Sequence, residues 1–196
     1  MDYKKILADN KTAKTSSGDM AKKLYLSFPT DVFRNAAEVE FEIINRVANQ
    51  YRVPISSVHI IGSAKTGFSL IKGTQFKPSI SDLDLAIVDS NCFKDIWEEA
   101  HLISNGFSAD RFQDPVVRGE RNVGIGQERF LSYIQRGIIA PEFLPTGRLR
   151  SEILQNNQRI GSNYTRLFGK ISVFFYLSEF FFKIKLQETI NKYWEA

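Results

Sequence analysis

Two short runs rich in β-branched and aliphatic residues, separated by a polar loop and flanked by helical patterns, constrain the fold of this chain most. The first run is Val58–Ile61, which ends at a Gly-Ser pair, and the second is Leu83–Val88, which ends at Asp-Ser-Asn. Apolar residues recur at intervals of three and four over residues 32–47, and a similar pattern covers residues 93–103. Because helical and strand patterns alternate along the chain, the sequence predicts an α/β fold.

The C-terminal third continues this alternation. Helical patterns are predicted near residues 127–136, 150–160 and 178–194, and a third β-rich run covers Lys170–Tyr176. With three short runs and several amphipathic helices, we expect a short mixed β-sheet with helices packed on one side.

The length of the chain, 196 residues, fits one domain with a core of its own. Residues 1–26 are Lys-rich and polar without a clear period, which predicts a flexible or loosely attached N-terminal arm. Residues 27–196 are expected to form the single domain. Within it, residues 107–150 contain five glycines, three prolines and several arginines, and are interpreted as an irregular insertion.

The composition, with 43% hydrophobic and 24% charged residues, is typical of a soluble domain. The first ten residues, MDYKKILADN, lack the apolar stretch of a secretory peptide, and the longest apolar run contains Glu179 and is too short to span a bilayer. A single cysteine, Cys92, cannot form an internal disulfide and is interpreted as a small buried hydrophobe. We therefore expect a cytoplasmic protein without a membrane partner.

The candidate functional residues lie at the end of the first β-rich run and at the start of the second. Gly62 and Ser63 follow the first run, and the sequence Ser81-Asp82-Leu83-Asp84 opens the second. Alternate side chains of a strand point to the same face, so Asp82 and Asp84 should project together. Two adjacent carboxylates stay ionised most easily around a cation, and Mg²⁺ with nucleotide phosphates is the usual one. The glycine would let the backbone approach a phosphate, and the serine offers a hydroxyl and an amide.

This arrangement resembles the nucleotidyltransferases related to DNA polymerase beta, in which a Gly-Ser pair ends one strand and Asp-x-Asp lies on the next. The resemblance covers residues 30–105 and is carried by GSAKTGFS and SDLDLAIV. It implies a polymerase beta-like nucleotidyltransferase fold. It also implies that Gly62 and Ser63 grip phosphates, and that Asp82 and Asp84 are catalytic metal ligands for Mg²⁺ or Mn²⁺.

The activity that this resemblance implies is the transfer of a nucleoside monophosphate from a nucleoside triphosphate to an acceptor hydroxyl, with release of pyrophosphate. The acceptor would belong to RNA, to a protein or to another nucleotide. Small bacterial members of the family often belong to toxin–antitoxin or phage-defence modules, and that context is implied by the resemblance only. Ser81 and Lys65 are further candidates for nucleotide binding, although an exposed surface lysine is the alternative interpretation of Lys65.

One departure from the family pattern keeps a second function open. Active members supply a third carboxylate from a later strand, but the run Lys170–Tyr176 contains none. Asp110, Asp114 and Glu179 are the candidate substitutes. The alternative is a catalytically degenerate member that serves as a nucleotide-binding or nucleic-acid-binding subunit of a larger assembly, with a partner subunit.

Arginine is unevenly distributed along the chain. Nine of the twelve arginines lie in residues 111–166, a stretch without lysine. Because the guanidinium group suits phosphate, we expect a polyanion-binding rim formed by four of them: Arg118, Arg121, Arg129 and Arg136. The alternative is that they pair with Glu120, Glu128 and Glu142 on a solvated face.

Overall fold

A four-stranded mixed sheet forms the centre of the protein. The computed structural model describes residues 1–117, 120–121 and 124–196, with side chains for 1–115 and 124–196. In chain order the strands are β1 (Val58–Ile61), β2 (Leu83–Val88), β3 (Val116–Val117), β4 (Glu120–Arg121), β5 (Ile138–Ile139) and β6 (Ile171–Tyr176). The sheet has the order β1, β2, β6, β5; only the β2 and β6 pair is parallel. The prediction of an α/β fold with a short mixed sheet is confirmed, and β3 and β4 form a separate hairpin.

Eight α-helices surround this sheet in the described part of the chain. They are α1 (Tyr3–Thr12), α2 (Ser17–Ala21), α3 (Ala37–Tyr51), α4 (Gly62–Thr66), α5 (Ser90–Ile103), α6 (Ile125–Ile134), α7 (Arg148–Gly161) and α8 (Glu179–Glu195). A π-helical turn, Lys22–Ser27, continues α2. Helix α5 begins where the Asp89 carboxylate accepts a hydrogen bond from the Cys92 amide at 2.8 Å, so Asp89 is its N-cap. None of the described helices combines the length and the apolar character that a membrane span requires.

Helices cover both faces of the sheet, so the expectation of helices on one side is wrong. Leu83, Leu85 and Ile87 of β2 face a core that α3, α5 and α7 complete. Ala86, on the opposite face, belongs to a second core together with Phe182 and other residues of α8. The physical reason is that β2 is apolar on both faces over its second half, and each apolar face needs a cover.

The N-terminal segment supplies part of that second cover, which contradicts the expectation of a loosely attached arm. Tyr3 and Leu7 of α1 are buried, as are Met20 and Leu24 on α2 and the turn that follows it. The indole Nε1 of Trp194, in α8, donates a hydrogen bond to the Leu7 carbonyl at 3.2 Å. A few apolar residues at helical spacing are therefore enough to dock this lysine-rich segment.

The stretch 107–150 is also more than an insertion. It contains α6, and its strand β5 pairs with β6 through Ile138 and Ile139, which are both buried. The expectation of an irregular insertion is therefore wrong for this part, because the stretch contributes the edge strand of the main sheet. A two-residue strand is too short to produce a readable periodicity.

Candidate active site

The Gly-Ser pair lies at the end of β1, directly beside Asp84. Ile61, the last residue of β1, is in register with Asp84 of the antiparallel strand β2. Gly62 then turns the chain into α4 with φ of +67°, a backbone conformation that favours glycine. A Cβ at this position would lie 2.5 Å from Oδ2 of Asp84. Glycine is thus required here both by the backbone and by the approach of the carboxylate.

Asp82 and Asp84 project into one cavity of about 530 Å³, which we call the carboxylate cavity. Its walls come from the end of β1, the start of β2, the loop between α4 and β2, and one side of α8. The structure brings together here the following residues identified from the sequence: Gly62, Ser63, Ser81, Asp82 and Asp84. The loop that closes the cavity is ordered by hydrogen bonds from Ser69 N to Thr74 O and from Phe76 N to Gly67 O, each 2.8 Å.

The two carboxylates of the cavity have different surroundings. The pKa of Asp84 is raised to about 6, first by burial and second by the neighbouring Asp82 carboxylate, while Lys170 and Lys72 act in the opposite direction. Asp82 is more exposed, and its Oδ2 forms an ion pair with Lys170 Nζ at 3.6 Å. A carboxylate whose charge is disfavoured in this way gains most from a bound cation.

Two lysines of the cavity were missed by the sequence analysis. Lys72, in the loop before β2, and the half-buried Lys185, on α8, both line the carboxylate cavity. Burial lowers the pKa of Lys185, and Glu188 one turn later lies 4.0 Å from its Nζ. The sequence signal for Lys185 is its position among the apolar residues of α8, at a spacing that turns it toward the sheet. Two cations beside two carboxylates suit a phosphate chain that bridges to a metal ion.

Lys65 lies apart from this cavity, so the structure does not support its predicted contact with a phosphate. Its side chain is buried, and Nζ donates a hydrogen bond of 2.7 Å to the carbonyl of Phe28. The alternative of an exposed surface lysine is wrong as well. Lys65 links the start of the domain to α4 and contributes to the fold.

The strand beside Asp84 carries a serine where the resemblance predicts a third carboxylate. In the parallel pairing of β2 with β6, Ser172 stands opposite Asp84, and Lys170, two residues earlier, reaches Asp82. The charge of Glu142 also raises the pKa of Asp84. Over the described ranges no three Asp, Glu, His or Cys side chains converge into a possible metal site.

None of the three candidate substitutes lines the carboxylate cavity. Asp110 accepts a hydrogen bond from the Ser108 hydroxyl at 2.5 Å, and Asp114 accepts one from the Gly126 amide at 3.0 Å. Glu179, at the start of α8, lines a separate cavity at the opposite end of the sheet. The expectation that one of these residues completes the site is therefore wrong.

Of the four arginines of the expected polyanion rim, the structure describes the side chains of two. Arg118 lies outside the described residues, and of Arg121 only the backbone, in β4, is described. Arg129 is exposed, with its guanidinium 5.9 Å from the centre of the Phe143 ring. Arg136 is exposed after α6 and lines a small cavity together with Lys185. Neither Arg129 nor Arg136 lines the carboxylate cavity, although Arg136 is close enough to Lys185 to lower its pKa.

Comparisons of this chain with protein-family models, with curated proteins and with solved structures find no match.

Proposed function

We propose that this protein is a Mg²⁺-dependent or Mn²⁺-dependent nucleotidyltransferase that acts on a nucleoside triphosphate. The observation that carries the proposal is the convergence of Gly62, Ser63, Asp82 and Asp84 in one cavity with Lys72. These groups come from the start of α4, the loop that follows it and the start of β2, and they lie up to 22 positions apart in sequence (62 to 84). Such a set offers hydrogen-bond donors and cations to phosphates and carboxylate oxygens to a metal ion.

The donor set at Asp82 and Asp84 fits a hard divalent cation. Asp82 directly precedes β2, Asp84 lies within it, and both line the same cavity. The pKa of Asp84 is raised first by burial and second by the charge of Asp82, and a bound cation would offset both effects. When bound, the metal supplies charge neutralisation of the phosphates and a lowered barrier for attack by a hydroxyl. Ser63 and the Gly62 backbone would hold the terminal phosphates, with Lys72 and Lys185 beside them.

The reaction balances as a simple displacement at the α-phosphorus. The acceptor hydroxyl oxygen forms a bond to this phosphorus, the bond from it to the α,β-bridging oxygen breaks, and pyrophosphate leaves with that oxygen. The hydroxyl proton leaves to solvent. The contribution of the chain is the positioning of the triphosphate and the stabilisation of its charge by the residues of the carboxylate cavity.

The test is a double substitution, Asp82→Asn with Asp84→Asn. We expect the double variant to lose metal-dependent pyrophosphate release and to keep the circular dichroism spectrum of the parent. The control is Asp95→Asn, an exposed aspartate on α5 whose partner is Lys94 at 3.6 Å. Turnover that survives the double substitution at an undiminished rate would contradict the proposal.

One observation favours a second candidate, a subunit that binds nucleotide without turning it over. Lys170 forms an ion pair with Asp82. Ser172, and not a carboxylate, is in register with Asp84 on the neighbouring strand. A lysine ammonium in this place would compete with a metal ion for Asp82. Binding of ATP and Mg²⁺ without pyrophosphate release, over RNA, protein and nucleotide acceptors, would favour this candidate over the enzyme.

A further inference from the structure

The sheet has an unpaired edge that is created by one proline. β5 pairs with β6 at Ile138 with Tyr176 and at Ile139 with Phe175, and the Leu177 amide donates to the Gly137 carbonyl at 2.9 Å. Continuing this register would place Pro141 opposite Val173. Proline has no N–H to donate, and residues Pro141–Phe143 form a 3₁₀ turn instead. No described strand therefore pairs with the first half of β6 on this side.

Every second residue of β6 directs its main-chain N–H and C=O away from β2, toward this edge. The carbonyl of Lys170 accepts from Leu83 N at 2.9 Å, and the carbonyl of Tyr176 accepts from Asp89 N at 3.3 Å, so the even positions of β6 face β2. Because main-chain groups alternate in direction along a strand, those of Ile171 and Val173 face the open edge. Both residues are buried, and an unpaired buried carbonyl or amide needs a partner.

A cavity of about 650 Å³ lies against this edge, and we call it the edge cavity. Ile171 and Val173 are at its floor, with Pro141 and Leu154 among its apolar walls. Its volume lies within the range of small-molecule sites, roughly 300–1,000 Å³. It accepts a molecule of nucleoside size and excludes a folded domain.

The side chain of Asn157, which lines the edge cavity, is held in place by a hydrogen bond from Tyr51. Asn157 is 4% exposed and lines the cavity, and its Oδ1 accepts a hydrogen bond of 2.9 Å from the Tyr51 hydroxyl. Burial raises the pKa of Tyr51, so this phenol stays a neutral donor. With Oδ1 occupied, the Asn157 amide nitrogen keeps its N–H groups for a ligand. The cavity thus offers donors from Asn157 and acceptors from the β6 carbonyls.

Two residues that line the edge cavity are neighbours of the two aspartates in the carboxylate cavity. Lys170 lines the edge cavity and pairs with Asp82, and Ser172 lines the edge cavity and stands opposite Asp84 on the adjacent strand. Neighbouring strands lie about 4.8 Å apart. A ribose is long enough to cover a distance of this order.

We propose that the edge cavity holds the nucleobase of the acceptor, so that the acceptor hydroxyl belongs to a nucleoside. The inference rests on the proposed function and adds the class of the second substrate. A nucleobase is flat and presents donors and acceptors along one edge, which matches apolar walls above a floor of main-chain carbonyls and an amide. The charged groups of the cavity, Glu142 and Lys170, lie on the side of Asp82 and Asp84. The nucleoside is either a free nucleotide or the 3′ end of an RNA, since both present the same chemistry.

The test is a matched pair of substitutions on α7. Gln158 lines the edge cavity and Gln155 does not, and both are exposed, so Gln158→Trp would block the cavity and Gln155→Trp is the control. The probes are adenosine, guanosine, cytidine and uridine, titrated by calorimetry into the full chain with Mg²⁺ and a saturating non-hydrolysable ATP analogue. We expect at least one nucleoside to bind, and Gln158→Trp to weaken that binding about tenfold or more. Gln155→Trp should leave the affinity unchanged.

The outcomes separate this inference from the proposed function. Failure of all four nucleosides to bind, or binding that Gln158→Trp leaves unchanged, would overturn the inference while the ATP analogue still binds through Asp82 and Asp84. Binding of the analogue that ignores the double substitution of these aspartates would overturn the proposed function itself.

Turnover assays then distinguish the two sources of the nucleoside. Nucleotide transfer to free nucleoside monophosphates, or to a short RNA with a 3′-hydroxyl but not to the same RNA with a blocked 3′ end, supports the inference and identifies the source. In either case Gln158→Trp should raise KM for the acceptor and leave KM for the triphosphate unchanged. Transfer to a protein side chain, indifferent to Gln158→Trp, would contradict the inference.

Discussion

Asp84 is half-buried beside a second carboxylate, and this makes the stability of the protein depend on pH. Its pKa is raised to about 6 in the folded chain, whereas an aspartate in an unfolded chain titrates near 3.9. Between these two values the folded state binds more protons than the unfolded state. The free energy of unfolding therefore falls as pH rises through this window, and the loss is complete above the folded-state pKa.

Asp84→Asn removes this penalty and should stabilise the metal-free protein. At about pH 7.5 we expect the free energy of unfolding to rise by about 3 kcal/mol, since one pKa unit corresponds to about 1.4 kcal/mol and the shift is about two units. At about pH 3.5, where the carboxyl is protonated in both states, the substitution should have little effect. Urea denaturation at the two pH values, with Asp95→Asn as control, measures both quantities. An Asn variant less stable than the parent at the higher pH would contradict the assignment.

Gly62 and Gly73 form a second test at the level of single residues, because both have φ of +67°. A Cβ at Gly73 would meet nothing within 4 Å, whereas one at Gly62 would meet Asp84. Alanine at either position should lower the free energy of unfolding by about 1 kcal/mol or more, because of backbone strain. We expect Gly62→Ala to lose more stability than Gly73→Ala and, in addition, to weaken the binding of ATP and Mg²⁺. Equal effects of the two substitutions on both measurements would show that contact with Asp84 is unimportant.

At the level of whole elements, a strand or turn can be predicted from the sequence when its pattern is local, and cannot when it depends on distant residues. β1, β2 and the Gly62 turn could be predicted, because each pattern is complete within a few residues. β5 could not, because two residues carry no period, and its pairing depends on β6 more than thirty positions later. Lys185 was missed for the same reason, since only the packing of α8 brings it to Asp82 and Asp84. The nucleotidyltransferase fold and activity stay predictions.

The lysine-rich sequence of α1 predicts a loose arm, but the helix is docked against α8. This docking can be tested directly. Leu7 is fully buried against α8, whereas Leu102, at the end of α5, is 77% exposed. Leu7→Ala should lower the free energy of unfolding by about 2–5 kcal/mol, the usual range for a buried leucine. Leu102→Ala should change it by less than about 0.5 kcal/mol. Chemical denaturation of both variants decides between a docked helix and a loose arm, and similar values for the two would favour the arm.

For the molecule as a whole, the net charge of +4 matters less than where the cations stand. Lys185 lies in the carboxylate cavity, with the exposed Arg136 beside it. If the acceptor is a single-stranded RNA, its phosphates would extend from the cavity along this side. Arg148 is also exposed, but it is already paired with Glu152 on α7 at 2.5 Å.

This difference predicts unequal salt dependence for two arginine variants. Arg136→Ala should reduce the slope of log affinity against log salt by about 0.7, the value for one lost phosphate contact with a single strand. Arg148→Ala should leave the slope unchanged. Binding of a short RNA between about 50 and 200 mM salt measures both slopes. An identical slope for Arg136→Ala and the parent would place the arginine off the path of the RNA.

The order of strands in the sheet has a consequence for biosynthesis. β6, between β2 and β5, belongs to the last quarter of the chain, and α8 follows it. Until these residues have left the ribosome, β2 has an open edge and α8 does not yet cover Leu7, Met20 and Leu24. Folding of the sheet must therefore wait until β6 and α8 have left the ribosome. We expect a chain truncated before Tyr176 to aggregate, because it lacks the strand that pairs with β2.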